Sequence, residues 1–127
     1  MRPKAAPLPG RTVFLVARIL VAEPDPDVLA LVERALTSWG HVPLRFDPGS
    51  EPPDVDVMLF EPGMGGSVLG AARTLASRTP PVPLVVLSIY PPGLEVHELR
   101  PVARLLKPFS LDELRAAVDK ATKRTGP

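Results

Sequence analysis

The chain alternates short, uniformly apolar runs with longer segments whose apolar positions recur at helical spacing. RILVA at 18–22, VMLF at 57–60 and LVVLS at 84–88 are β-rich and carry almost no polar position, the pattern of strands buried on both faces. Residues 42–46 and 103–106 predict two further strands. Between them, Val28, Leu29, Leu31, Val32, Ala35, Leu36 and Trp39 outline one broad apolar helix face, opened by Asp25 before Pro26 and closed by Gly40. Residues 67–77 have helical composition, and residues 94–100 predict a short helix hemmed in by Pro92 and Pro101. Ser110 and Glu113 make an S-x-x-E capping box for a last helix with Leu111, Leu114, Val118 and Ala121 on one face. DPGSEPPD, residues 47–54, is too short and too rich in proline for a helix, so a loop makes that connection.

Strands alternating with helices predict a parallel sheet covered on both faces. In such sheets, sites form where the carboxyl ends of the strands meet the loops. The residues standing there are Glu23, Glu61, Ser88 and Lys107. Two carboxylates, a hydroxyl and an ammonium are a coherent set for holding a cation or a phosphoryl group.

Composition narrows the classes. With 127 residues, 45% hydrophobic and 23% charged, the chain suits one globular domain. Fifteen basic against fourteen acidic residues leave a net charge of +1, so no overall field favours nucleic acid or acidic lipid. The absence of cysteine removes disulfides and thiolate chemistry, and His41 and His97 are too isolated to suggest a metal or Ser/His arrangement. The chain has no Asn or Gln, more Arg than Lys, and 18 prolines, which fits either a thermophile or a GC-rich genome. TVFLVARILVA, residues 12–22, is broken by Arg18 and lacks a good cleavage site, so residues 1–17 read as a flexible leader and not as a signal peptide. No apolar run approaches the roughly 18 residues of a membrane span, and the expected location is cytoplasmic.

Three stretches resemble one family. ILVAEPDPDVL looks like the first strand and acidic loop of response regulator receiver domains, PLVVLSIY like their fourth strand with its switch hydroxyl, and LLKPFSLDEL like their lysine, cis-proline and last helix. The resemblance covers residues 18–123, leaving 124–127 as a tail. It implies the flavodoxin-like (CheY-like) α/β fold: a doubly wound five-stranded parallel sheet in the order 2-1-3-4-5, here with the second helix missing or replaced by a loop and the fourth short.

The departures from the family pattern bear most on function. Glu23 followed by Pro24 stands where two aspartates usually anchor Mg²⁺, and Asp25 is placed to cap the following helix. Counting from Asp56 puts Glu61 at the phosphoacceptor position. An ungapped alignment on Pro62-Gly63-Met64 puts Met58 there, inside the strand, so Glu61 is preferred. Ser88 matches the switch hydroxyl, Lys107 with Pro108 the pocket lysine and its cis peptide, and Arg104 stands at the switch-aromatic position. A glutamate is longer than an aspartate by about 1.5 Å, and misplacement of about 1 Å can cost about 100-fold in rate.

The expectation is therefore a non-enzymatic pseudo-receiver with weak or absent Mg²⁺ binding and no other cofactor. Its partners are expected to be proteins, such as a kinase, a regulator or a motility component, with no nucleic acid or membrane involved. A homodimer through residues 94–118, including Arg100 and Arg104, is a further expectation. Glu61 paired with Lys107, with Ser88 nearby, would make a built-in phosphate mimic. The alternatives are a phosphorylatable single-domain regulator using Glu61, with Glu23 and Asp25 on Mg²⁺, and a small-molecule module using the same pocket.

Overall fold

The computed structural model describes residues 12–14 and 16–125 of the chain. Five strands, β2 (Arg18–Ala22), β3 (Val42–Arg45), β4 (Val57–Phe60), β5 (Leu84–Ser88) and β6 (Ala103–Leu106), form one parallel sheet in the order β3-β2-β4-β5-β6. Numbered among themselves these strands run 2-1-3-4-5, the flavodoxin-like order that the resemblance implies.

Alternate side chains of the central strands feed two separate cores. Ile19, Val21, Val57, Leu59, Val85 and Leu87 pack against helix α1 (Pro26–Ser38) and helix α4 (Leu111–Thr122) through Val32, Leu36, Leu114 and Val118. Leu20, Ala22, Met58, Phe60, Leu84 and Val86 face helix α2 (Gly66–Ala76) and helix α3 (Leu94–Glu98) through Val68, Ala72, Leu75 and Val96. A strand sandwiched this way must be apolar at every position, which is why β4 and β5 read as unbroken hydrophobic runs.

The helix ends follow local chemistry. The Asp25 carboxylate accepts from the amides of Asp27 (2.8 Å) and Val28 (3.3 Å), with Pro26 occupying the first turn, where its missing N–H costs nothing. The capping box at α4 is formed in both directions, Glu113 N–H to Ser110 Oγ and Ser110 N–H to Glu113 Oε1, each 3.0 Å. No helix joins β3 to β4. Its place is taken by the proline-rich segment 47–54, held down by Arg78, whose guanidinium donates to the carbonyls of Pro52 and Pro53 at 2.9 Å each. α3 is only five residues long and is followed by Arg100 at φ 53, a left-handed conformation that ends the helix.

Of the leader expected over 1–17, residues 1–11 and 15 lie outside the described residues. Residues 12–14 form a strand, β1 (Thr12–Phe14), paired antiparallel with β7 (Lys123–Thr125), the direct continuation of α4. The expected tail thus gives 124 and 125 to this ribbon, while 126 and 127 lie outside the described residues. No described helix is long and apolar enough to cross a membrane.

Candidate functional site

Three strands deliver the central groups of the site. β2 ends one residue before Glu23, β4 one residue before Glu61, and β6 one residue before Lys107. The Glu61 amide donates to the Ala22 carbonyl at 2.9 Å and the Lys107 amide to the Ser88 carbonyl at 2.8 Å, so sheet-type bonds carry the backbone one step past β4 and β6 and fix where the Glu61 and Lys107 side chains start.

The Lys107 ammonium sits between the two carboxylates. It donates to Glu23 Oε2 at 2.8 Å, lies 2.6 Å from Glu23 Oε1 without hydrogen-bond alignment, and lies 3.4 Å from Glu61 Oε2. The Glu23 side chain is fully buried, and those of Lys107 and Glu61 are only 15% and 12% exposed, so water does little to screen these charges. Each carboxylate is also tied to backbone: Glu23 Oε2 accepts from the Asp25 amide at 3.0 Å, and Glu61 Oε1 from the Gly63 amide at 3.0 Å. Glu61 Oε2 and Glu23 Oε1 have no hydrogen-bond partner. Two carboxylates and one ammonium leave the cluster with one negative charge in excess.

Loop geometry explains how Glu61 turns inward. It caps a single turn of 3₁₀ helix at Pro62–Met64. A Cβ at Gly63 would stand 3.1 Å from Glu61 Oε1, so the glycine leaves room for the carboxylate to fold back over its own loop. Gly65, at φ 107, then makes the left-handed step into α2 that a side chain would resist.

The remaining residues singled out in the sequence fall as follows. Asp25 is engaged as the α1 cap, and Pro24 carries no ligand atom. Met58 is fully buried within β4. Ser88 is buried, and its hydroxyl donates to the Tyr90 carbonyl. The Lys107–Pro108 peptide is cis, as is Thr79–Pro80. Arg104 is exposed on edge strand β6, with its guanidinium 3.2 Å from His97 Nδ1. Among the described residues no group of three or more His, Asp or Glu side chains is placed to hold a metal ion. The expected pairing of Glu61 with Lys107 is present at 3.4 Å, and Glu23, which the sequence did not pair with the lysine, holds the shorter 2.8 Å hydrogen bond.

Sequence comparison identifies no relative: no protein-family model and no curated protein matches the chain. Solved structures do match. A response regulator from Thermotoga maritima superposes with a TM-score of 0.67 at 22% identity, covering 85% of this chain and 98% of that one. The chemotaxis response regulator CheY4 of Vibrio cholerae superposes at 0.71 with 14% identity, over 84% and 99% of the two chains. The receiver domain of a sensor histidine kinase from Pseudomonas aeruginosa, solved with a magnesium ion coordinated in its active site cleft, superposes at 0.66 with 20% identity, over 85% and 98%. With the strand order, the strand-end placement of Glu23, Glu61, Ser88 and Lys107, and these superpositions together, the chain has the CheY-like fold of response regulator receiver domains.

Proposed function

We propose that the chain is a receiver-type module of two-component signalling that acts by binding other proteins, with its strand-end pocket held by an internal ion-pair cluster instead of being switched by phosphorylation. One observation carries this reading: the Lys107 ammonium already lies against Glu23 and within 3.4 Å of Glu61. A divalent cation that bound both carboxylates would have to displace that ammonium, and Mg²⁺ demands near-octahedral oxygen coordination. The residues present do not fit it. Pro24 offers no side-chain oxygen, and Asp25 commits Oδ1 to the α1 cap. Phosphoryl transfer to a carboxylate rests on positioning and on neutralising the transferring oxygens. Glu61 here is folded onto its own loop, and Ser88 is turned to a backbone carbonyl.

Output then runs through a surface and needs no reaction. On α3, β6 and α4 the exposed residues include Leu94, Arg104 and Leu106 of edge strand β6, and Leu111, with Arg100 exposed after α3. A kinase, a second regulator or another copy of the chain are the partners in view, in the cytoplasm.

The test is a titration with Mg²⁺ followed by beryllofluoride or acetyl phosphate, read by amide NMR shifts and intact mass. The expected result is no metal-dependent shift at Glu61, Ser88 or Lys107 and no phosphoryl adduct. A saturable Mg²⁺-dependent response at those residues, or an adduct on Glu61, overturns the proposal in favour of a phosphorylatable regulator.

A further inference from the structure

His41 plays no part in the strand-end pocket. It follows the α1 C-cap and precedes β3, with only 8% of its surface exposed. Its Nδ1 accepts the amide of Ala17 at 3.1 Å, across 24 residues of sequence, and Ala17 is itself only 3% exposed. An imidazole nitrogen that accepts an N–H must be unprotonated, so the ring carries its hydrogen on Nε2. The Ala17 carbonyl is also engaged, accepting from the Val42 amide at 2.9 Å. Residues 41 and 42 thus grip the backbone that leads into β2.

The position of this grip gives it a consequence. Ala17 lies three residues after β1 ends, and Asp119, the carboxylate on α4 that acts on His41, lies four residues before β7 begins. His41 therefore grips one root of the β1–β7 ribbon at Ala17 and feels the charge of Asp119 on the helix that leads into the other. The charges around it are few. α1 ends in Thr37, Ser38 and Trp39, none of which titrates, and Arg115 of α4 lies over the Trp39 ring. On the β2 side, Arg18 presents its amide to Asp56 at 2.8 Å. On β3, Arg45 is paired with Glu33, and exposed Lys123 opens β7.

We propose that His41 is an acid-sensitive clasp that holds the start of β2, and with it the root of the β1–β7 ribbon, to the body of the domain. When Nδ1 takes a proton it can no longer accept, and the buried Ala17 N–H faces a second donor, so the contact opens. Burial holds the imidazole below the ordinary histidine range, with the Asp119 carboxylate pushing the other way. The clasp is therefore closed at neutral pH and opens on acidification.

The experiment follows the full chain by NMR between pH 8 and 5. The ¹⁵N shifts of His41 report its tautomer, and amide exchange, corrected for intrinsic rate, reports protection at Ala17 against Ile19 as a reference inside β2. Ala17 protection is expected to fall by about tenfold per pH unit below the His41 titration, while Ile19 holds. In His41→Asn the amide oxygen takes the place of Nδ1 and accepts at every pH, so the acid sensitivity of Ala17 should vanish. Ala17 protection that stays constant while the wild-type His41 titrates overturns the clasp, even if the variant does not fold. Acid sensitivity that survives intact in folded His41→Asn overturns it as well.

Discussion

Replacing Lys107 with methionine keeps most of the side-chain volume and removes the one cation of the strand-end pocket. Glu23 and Glu61 are then left facing each other's charge with little water to screen it. At 2.8 Å and an effective dielectric of 20, the lost attraction to Glu23 alone is about 6 kcal/mol before desolvation is counted. Breaking a buried pair by removing one partner costs about 3–5 kcal/mol net. The expected loss at pH 7 is thus about 3–5 kcal/mol by urea denaturation, within the roughly 5–15 kcal/mol that a domain of this size commands.

A double-mutant cycle with Glu23→Gln should return a coupling of about 1–3 kcal/mol. A loss below about 0.5 kcal/mol at pH 7 would refute the reasoning, since it would mean that water, and not Lys107, neutralises the pocket.

Three further outcomes follow from the geometry. Glu23→Gln should destabilise the domain more than Glu61→Gln in parallel denaturations, because Glu23 holds the direct 2.8 Å bond and Glu61 stands at 3.4 Å; the reverse order would restore Glu61 as the main partner. Asp25→Ala removes two accepted amide bonds at the start of α1 and should cost about 1 kcal/mol, seen as a lowered thermal midpoint. Arg78→Ala frees the carbonyls of Pro52 and Pro53 and should cost about 2 kcal/mol. Limited proteolysis should then cut first within 47–54, and a cleavage pattern matching wild type would show that this loop holds itself.

Much of the fold is legible along the chain because its determinants are local. Doubly buried strands such as LVVLS must be apolar throughout, Asp25-Pro26 and Ser110-x-x-Glu113 mark where helices begin, and the prolines of 47–54 forbid a helix where the sheet would otherwise admit one. The membership of the site was legible too, since strand ends are where a parallel sheet gathers its polar groups, and Glu23, Glu61, Ser88 and Lys107 each follow or close an apolar run.

Of the partnerships among those residues, Glu61 with Lys107 was expected and Glu23 with Lys107 was not. Whether Lys107 meets Glu23 or Glu61 depends on ångström differences between side chains borne on different strands, and Lys107 and Glu23 are 84 residues apart in sequence. Ser88 turning to Tyr90 is decided by the loop after β5, and the His41–Ala17 contact by how the α1 terminus sits against β2. The pairing of residues 12–14 with 123–125 joins nearly the two ends of the chain, so no local pattern announces it. The sequence by itself determined which strands are buried on both faces, where the helices start and which groups arrive at the strand ends, because strand patterning and capping act over a few neighbouring residues, whereas Leu31 and Leu111 of the expected helix faces are 41% and 46% exposed. Only the tertiary structure decided which charge meets which, because electrostatic pairing depends on distance through space, and the sheet sets that distance between segments with no sequence relation to one another.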